Sequence, residues 1–275
     1  MELAIAPNPN KTLWEKGDFT RVAETMRKSG EELVDSLAIK PGMSVLDLGC
    51  GDGTTALPLA RRGADVIGVD IASNLVAAGN ARAKQAGLTN VRFEQGDASN
   101  LGGLGDAAFD LVLTVFGAMF APRPYDVAKE MVRVTRAGGR IVMANWIPGD
   151  PTLVAQILKI SAAYTPPPPE GFVSPMTWGD EAEVRARFGS AGIAPENIRF
   201  ERLSWFFRHD GPPSDLLSIF RTYYGPAMNA FEAAAKDNRE DDLADELKVL
   251  FALQNRGGEH TVIPATFLKV TVTKS

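Results

Sequence analysis

Six residues in the first hundred have types and spacing suited to holding a nucleoside. The stretch "VLDLGCGDG" (45–53) sets Gly49, Gly51 and Gly53 at alternate positions behind an apolar run that carries one acid, Asp47. Glycine lacks a Cβ, so a ligand's polar groups can approach the backbone closely. Where a helix follows such a loop, its free N–H groups and positive dipole end suit an anion. Asp70 lies 17 residues beyond Gly53, at the end of "VIGVD". A carboxylate there can accept hydrogen bonds from both hydroxyls of a ribose. Asp97, in "FEQGDAS", can accept from an exocyclic adenine amine while the Ala98 N–H reaches a ring nitrogen. Each feature also has a plainer reading: a strand–helix turn for the glycines, a helix cap for Asp70, an Asx turn for Asp97. Ser73 suits the cap position better than Asp70 does.

The spacing narrows the ligand. A dinucleotide fingerprint needs G-x-G-x-x-G, but here the third place is Thr54 and the loop reads G-x-G-x-G. An acid such as Asp47 would repel a pyrophosphate and attract an ammonium group through charge-assisted hydrogen bonds. A ligand with a ribose, an adenine-like base and an amino acid therefore fits better than one with two phosphates.

These residues need elements to bring them together. Five short runs rich in β-branched or apolar residues read as strands: 44–48, 65–71, 91–95, 109–115 and 140–146. Helical segments alternate with them at 54–62, 73–86 and 124–136, with Pro124 in a first turn and Gly87 as a stop. An amino-terminal helix is expected over 18–37, capped by Asp18 and ended by Lys40-Pro41-Gly42. Strands and helices in alternation imply parallel βαβ units. After Trp146 the rhythm changes. Residues 198–208 and 266–273 read as an antiparallel pair at the sheet edge, and 213–251 as two or three helices broken at Gly225-Pro226. The expected fold class is α/β: a doubly wound, mostly parallel seven-stranded sheet (Rossmann-like) with an antiparallel edge hairpin and helical insertions covering the cofactor end. The expected divisions are a helical lid segment (1–43), a nucleoside-binding core (44–150) and a sheet-completing part with the insertions (151–275).

Composition excludes several classes. Of the 275 residues, 45% are hydrophobic and 23% charged, and the net charge of −5 disfavours a nucleic-acid partner. Cys50 is the single cysteine, so no intrachain disulfide forms, as suits a reducing compartment. The start "MELAIAPNPNKTLWEKGD" lacks the basic and apolar regions of a secretory leader, and no run approaches the roughly 20 apolar residues of a membrane span. A cytoplasmic protein is expected. Two distant histidines and one cysteine make no metal-ligand set, so no metal is expected.

The motifs "VLDLGCGDG", "VIGVDIA" (66–72), "FEQGDAS" (93–99), "FDLVLTVFGAMF" (109–120) and "RAGGRIVMANW" (136–146) together resemble the class I S-adenosylmethionine-dependent methyltransferases. The resemblance covers about residues 14–150 and is closest to the small-molecule branch that includes the ubiquinone and menaquinone C-methyltransferases. "LWEKGDF", "FAPRP" and "PPPP…WGDE" resemble a large bacterial group of that branch. The resemblance implies S-adenosyl-L-methionine as cofactor. It implies that Asp47 and the loop Gly49, Cys50, Gly51 and Gly53 hold the methionine part. Asp70 takes the ribose, Ile71 lies against the adenine, and Asp97 and Ala98 read its edge. Thr114 and Phe116 line the wall near the sulfonium.

Methyl transfer from a sulfonium needs alignment and exclusion of water, and aromatic rings near the cation help. Phe116, Phe120 and Trp146 at strand ends, and Trp14 and Phe19 over the site, are the candidates, with plain core packing as the alternative. A hydroxyl or acidic-carbon acceptor also needs a base. His209, His260 and Tyr164 are the candidates, with Tyr223 and Tyr224 behind them. The Asn/Asp-Pro-Pro-Tyr of amino-methylating DNA enzymes is absent: Thr114-Val115-Phe116-Gly117 stands in its place. Apolar residues of the insertions (Leu216, Leu217, Ile219, Phe220, Met228, Phe231) suggest a partly apolar pocket for a small acceptor, with a homodimer interface as the competing use. A nucleotide-dependent oxidoreductase and a non-catalytic cofactor-binding protein are the alternatives.

Overall fold

The computed structural model describes residues 10–275; the first nine residues of the expected lid segment lie outside the described residues. Helices α1 (Asn10–Glu15), α2 (Phe19–Glu24) and α3 (Arg27–Asp35) precede β1 (Ser44–Leu48). There follow α4 (Ala56–Arg61), β2 (Asp65–Asp70), α5 (Ser73–Gln85), β3 (Val91–Gln95), β4 (Phe109–Val115), α6 (Pro124–Val134) and β5 (Thr135–Trp146). The remainder is α7 (Leu153–Ala162), α8 (Glu181–Ser190), β6 (Ile198–His209), α9 (Pro213–Tyr223), α10 (Gly225–Lys236), α11 (Glu240–Gln254) and β7 (Thr261–Thr273).

One seven-stranded sheet runs in the order β3-β2-β1-β4-β5-β7-β6. The first five strands pair in parallel and the last two are antiparallel, as expected for an edge hairpin. Strand order reverses between β1 and β4, and in open α/β sheets that switch point is where ligands sit, beyond the strands' carboxyl ends. Parallel strands buried on both faces read as continuous apolar runs. Val45, Leu46, Leu111, Val112 and Leu113 are all fully buried, and two hydrophobic clusters cover the two sides of the sheet.

Several boundaries differ from expectation for local reasons. The helix expected over 18–37 is two, α2 and α3. They break at Thr25 and Met26, where the Thr25 hydroxyl donates to the Val22 carbonyl (2.7 Å) and backbone N–H groups close three-residue turns. Ser73 is not a cap but the first residue of α5; Ala72 holds the cap position, and its N–H is bound by Asp70 Oδ1 at 2.9 Å. Strand β7 starts at Thr261, through Pro264. Its pairing to β5 reaches only Phe267, so Pro264 has a strand on one side only and the missing N–H costs no ladder bond.

Candidate active site

The carboxyl ends of β1, β2 and β4, with the turn after β3, converge on one cleft, solvent-open on one side. Its floor is the glycine turn, Gly49, Cys50 and Gly51, followed by Asp52, Thr54 and Thr55. One wall is Asp70, Ile71, Gly96 and Ala98; the other is Phe116, Gly117 and Ala118. Above lie Asn10, Trp14, Phe19 and Met26 from the amino-terminal helices, and Phe120 and Trp205 complete the apolar part.

The turn is shaped by backbone contact. A Cβ on Gly117 would lie 2.3 Å from the Gly49 carbonyl oxygen, so only glycine fits where the β4 turn crosses the β1 turn. Gly51 adopts φ +56°, and a Cβ there would meet nothing within 4 Å: the space above it is the cleft itself. Asp70 Oδ2 accepts from the Gly51 N–H (2.8 Å), tying the turn to β2. Burial pushes the Asp70 carboxyl's pKa up, against the pull of the Ala72 and Gly51 N–H groups. Asp52 is held from beneath: Arg27 grips both its oxygens (3.0 and 2.6 Å), and Arg82 Nη1 lies 3.4 Å away. A bidentate guanidinium of this kind fixes position as well as charge.

Of the eleven residues expected from sequence to hold the cofactor, Gly49, Cys50, Gly51, Asp70, Ile71, Ala98 and Phe116 line the cleft. Four do not. Asp47 sits one layer behind, where the Thr55 hydroxyl donates to its Oδ2 at 2.6 Å and its Oδ1 is buried without a partner. Burial pushes its carboxyl up to about 7, with Thr55 pulling the other way and Asp70 adding to the rise. Gly53 packs behind the turn, where a Cβ would strike Phe93 and Leu57. Thr114 is buried, its hydroxyl accepting the Ala118 N–H at 3.0 Å. Asp97 Oδ1 accepts from the Ser99 N–H (2.8 Å) and hydroxyl (2.6 Å), so its carboxylate makes the Asx turn that was its plainer reading.

The three candidate bases lie elsewhere, for plain reasons of packing. His209 ends β6 opposite Thr261, and exposed His260 meets the Asp210 carbonyl through Nδ1 at 2.7 Å. The Tyr164 hydroxyl donates to Glu246 at 2.5 Å, which pushes its pKa up. None of the three lines the cleft. The apolar residues of the insertions are also used differently from expectation. Phe220 packs edge-on against Phe207 (5.4 Å) and Phe251 (5.6 Å), and Leu216, Leu217 and Phe231 are buried with them. They fill the space between α9, α11 and β6, so the cleft takes its apolar character from the amino-terminal helices and from strand ends.

Those strand ends form an aromatic stack. Phe116, at φ +57°, lies flat on Trp146 with centroids 3.5 Å apart and meets Trp205 edge-on at 5.0 Å. A bulky residue in the left-handed region is strained, and such strain gathers at functional sites. Helix α1 closes the top. Trp14 packs edge-on against Phe120 (4.8 Å) and Phe19 (5.4 Å), while Glu15 accepts from the Ser73 hydroxyl at 2.7 Å. The insertions hold this cover from behind: Tyr224 packs on Trp14 at 6.1 Å, and Lys16 reaches Asn229 and Glu232 of α10. Trp205 was not singled out from sequence; its signal was the pair Trp205 and Phe207, two residues apart and so on the same strand face.

A family described as a methyltransferase domain matches residues 46–143. An uncharacterized protein of Mycobacterium tuberculosis (strain H37Rv) is 33% identical over 227 residues, covering 82% of this chain and 80% of its own length. A demethylmenaquinone methyltransferase of Paenarthrobacter aurescens is 36% identical over 114 residues, 42% of this chain and 43% of that protein. Among solved structures, the YcgJ protein of Bacillus subtilis aligns with TM-score 0.57 at 19% identity, over 90% of this chain and 99% of that one. Phosphoethanolamine N-methyltransferase 2 of Haemonchus contortus, in complex with phosphomonomethylethanolamine and S-adenosylhomocysteine, aligns with TM-score 0.57 at 16% identity, over 90% and 53%. The chain belongs to the S-adenosylmethionine-dependent methyltransferases. Among the described residues, no helix is long and apolar enough to cross a membrane.

Proposed function

We propose that the cleft takes S-adenosyl-L-methionine along the strand ends and presents its methyl group to a small, partly apolar or aromatic acceptor. The carrying observation is the convergence of Gly51, Asp70 and Ala98, from three successive strand ends, on one cleft. The residues suit the donor. The open space above Gly51 admits the homocysteine backbone, and Asp70, with lone pairs beyond those used by Gly51 and Ala72, accepts the ribose hydroxyls. Ile71 packs on the adenine, and the Ala98 N–H reads its edge. Asp47 acts through Thr55, holding the turn, rather than by touching the ligand.

When bound, the donor supplies an activated methyl group on a sulfonium. The protein's part is then alignment and exclusion of water, to which Trp14, Phe120 and the Phe116–Trp205 pair contribute. The single buried cysteine suits a reducing, cytoplasmic setting.

Thermal unfolding with S-adenosylhomocysteine, S-adenosylmethionine or NAD tests the donor. At 100-fold excess over Kd, a ligand selective for the fold adds about 2.7 kcal/mol, a rise of roughly 5–10 °C for a chain of this size. Both adenosyl ligands should produce it and NAD should not; the reverse pattern would favour a nucleotide-dependent oxidoreductase.

A further inference from the structure

The cleft holds few groups able to move a proton. Its ionisable lining residues, among the described residues, are Cys50, Asp52 and Asp70. Burial pushes the Cys50 thiol well above its ordinary value. Asp52 is committed to Arg27 and Arg82, and Asp70 to two backbone N–H groups. All three belong to the glycine-turn end. The other end is the Asn10 amide with Trp14, Phe19, Phe116, Phe120 and Trp205, none of which takes a proton. Tyr224, packed behind Trp14 and Phe19, is held further from ionisation by burial.

An ammonium must lose a proton before it can attack carbon and a hydroxyl as it attacks, and among the described residues this end of the cleft offers nothing to take it. An acceptor that ionises by itself near neutral pH needs no such partner. The apolar wall adds a second reason. Opposite charges attract more strongly as water is excluded, and a reaction that cancels them gains most in a low-dielectric site. We infer that the acceptor is a small apolar or aromatic thiol, methylated as its thiolate with no protein base. This rests on the donor assignment above. The thiolate sulfur's lone pair forms the new S–CH3 bond, the donor's S–CH3 bond breaks, and its electron pair returns to the donor sulfur. The products are a neutral thioether and neutral S-adenosylhomocysteine; the thiol's proton has already gone to solvent.

The test pairs 4-methylbenzenethiol with 4-methylphenol, which share shape and differ in acidity. At pH 7 the thiol should be methylated with kcat/KM at least ~30-fold higher: even an alkyl thiol of pKa about 8.5 is ~30-fold more ionised there than a phenol of pKa about 10, and an arenethiol is more acidic still. The rate should rise with pH along the thiol's own titration, and H209N, H260N and Y164F should each stay within about twofold of the parent. A readout without turnover accompanies it. With a donor analogue bearing an ammonium in place of the sulfonium, the bound thiol should show thiolate absorbance at a pH where it is protonated in the S-adenosylhomocysteine complex. Equal rates for the two probes, a pH profile abolished by one of those variants, no methylation of the thiol, or the same absorbance in both complexes would overturn the assignment. Failure of S-adenosylhomocysteine to bind in calorimetry would instead overturn the donor reading.

Discussion

Asp70 carries two loads, and a substitution can separate them. The residue is 8% exposed, and its carboxylate accepts from Gly51 N–H at 2.8 Å and Ala72 N–H at 2.9 Å. Asp70→Asn keeps one acceptor oxygen, but whichever way the amide turns, its NH2 faces one of those two N–H groups. A buried donor is then left unpaired, at about 1–3 kcal/mol of stability. The ribose contacts form a second loss. Hydrogen bonds to a charged group are worth about 1.5–3 kcal/mol, which is about 10- to 150-fold in the Kd for S-adenosylhomocysteine. Calorimetry measures the affinity and urea unfolding the stability. An S-adenosylhomocysteine analogue lacking both ribose hydroxyls separates the loads: the substitution should weaken it far less than the parent ligand. Equal weakening of the two ligands would mean that Asp70 only ties the turn to β2, and unchanged affinity would refute the ribose assignment outright.

Two glycines near the turn should fail differently. Gly51→Ala meets no protein atom and costs the left-handed strain alone, about 1–2 kcal/mol, but its methyl enters the cleft and should weaken S-adenosylhomocysteine at least tenfold in calorimetry. Gly117→Ala drives a Cβ to 2.3 Å from the Gly49 carbonyl, so backbone must move; a stability loss of about 1–3 kcal/mol should appear in urea unfolding together with the lost affinity. Asp47 should give the ligand-free protein a pH-dependent stability. A carboxyl whose folded pKa is raised to about 7 binds its proton more tightly in the fold. The stability it contributes is complete below the unfolded pKa of about 4 and is lost as pH rises through the folded value of about 7. Urea midpoints should fall across that window in the parent and less in Asp47→Asn; equal slopes would refute the burial argument.

The sequence by itself determined the sheet and the position of the cleft. Apolar runs of five to seven residues, separated by helical periodicity, have one economical arrangement, and alternate glycines after the first run mark where its end must stay open. Ile71, Ala98 and Phe116 follow because each stands just past a strand end, and topology brings strand ends together. Only the tertiary structure decided which polar group lines the cleft. Asp97 and Asp47 have the right type and position, yet Ser99 and Thr55 lie within hydrogen-bond reach and each takes one of their oxygens. A carboxylate's partner depends on distances of an ångström that spacing along a chain does not encode. The cover had the same fate. Leu216 and Phe220 could have faced the cleft, but Phe220 packs on Phe207 of β6 and Phe251 of α11 and Leu216 is fully buried, and apolar burial is non-directional. Trp205, about 90 residues beyond Phe116 in the chain, reaches the site only because β6 lies antiparallel to β7, which pairs with β5.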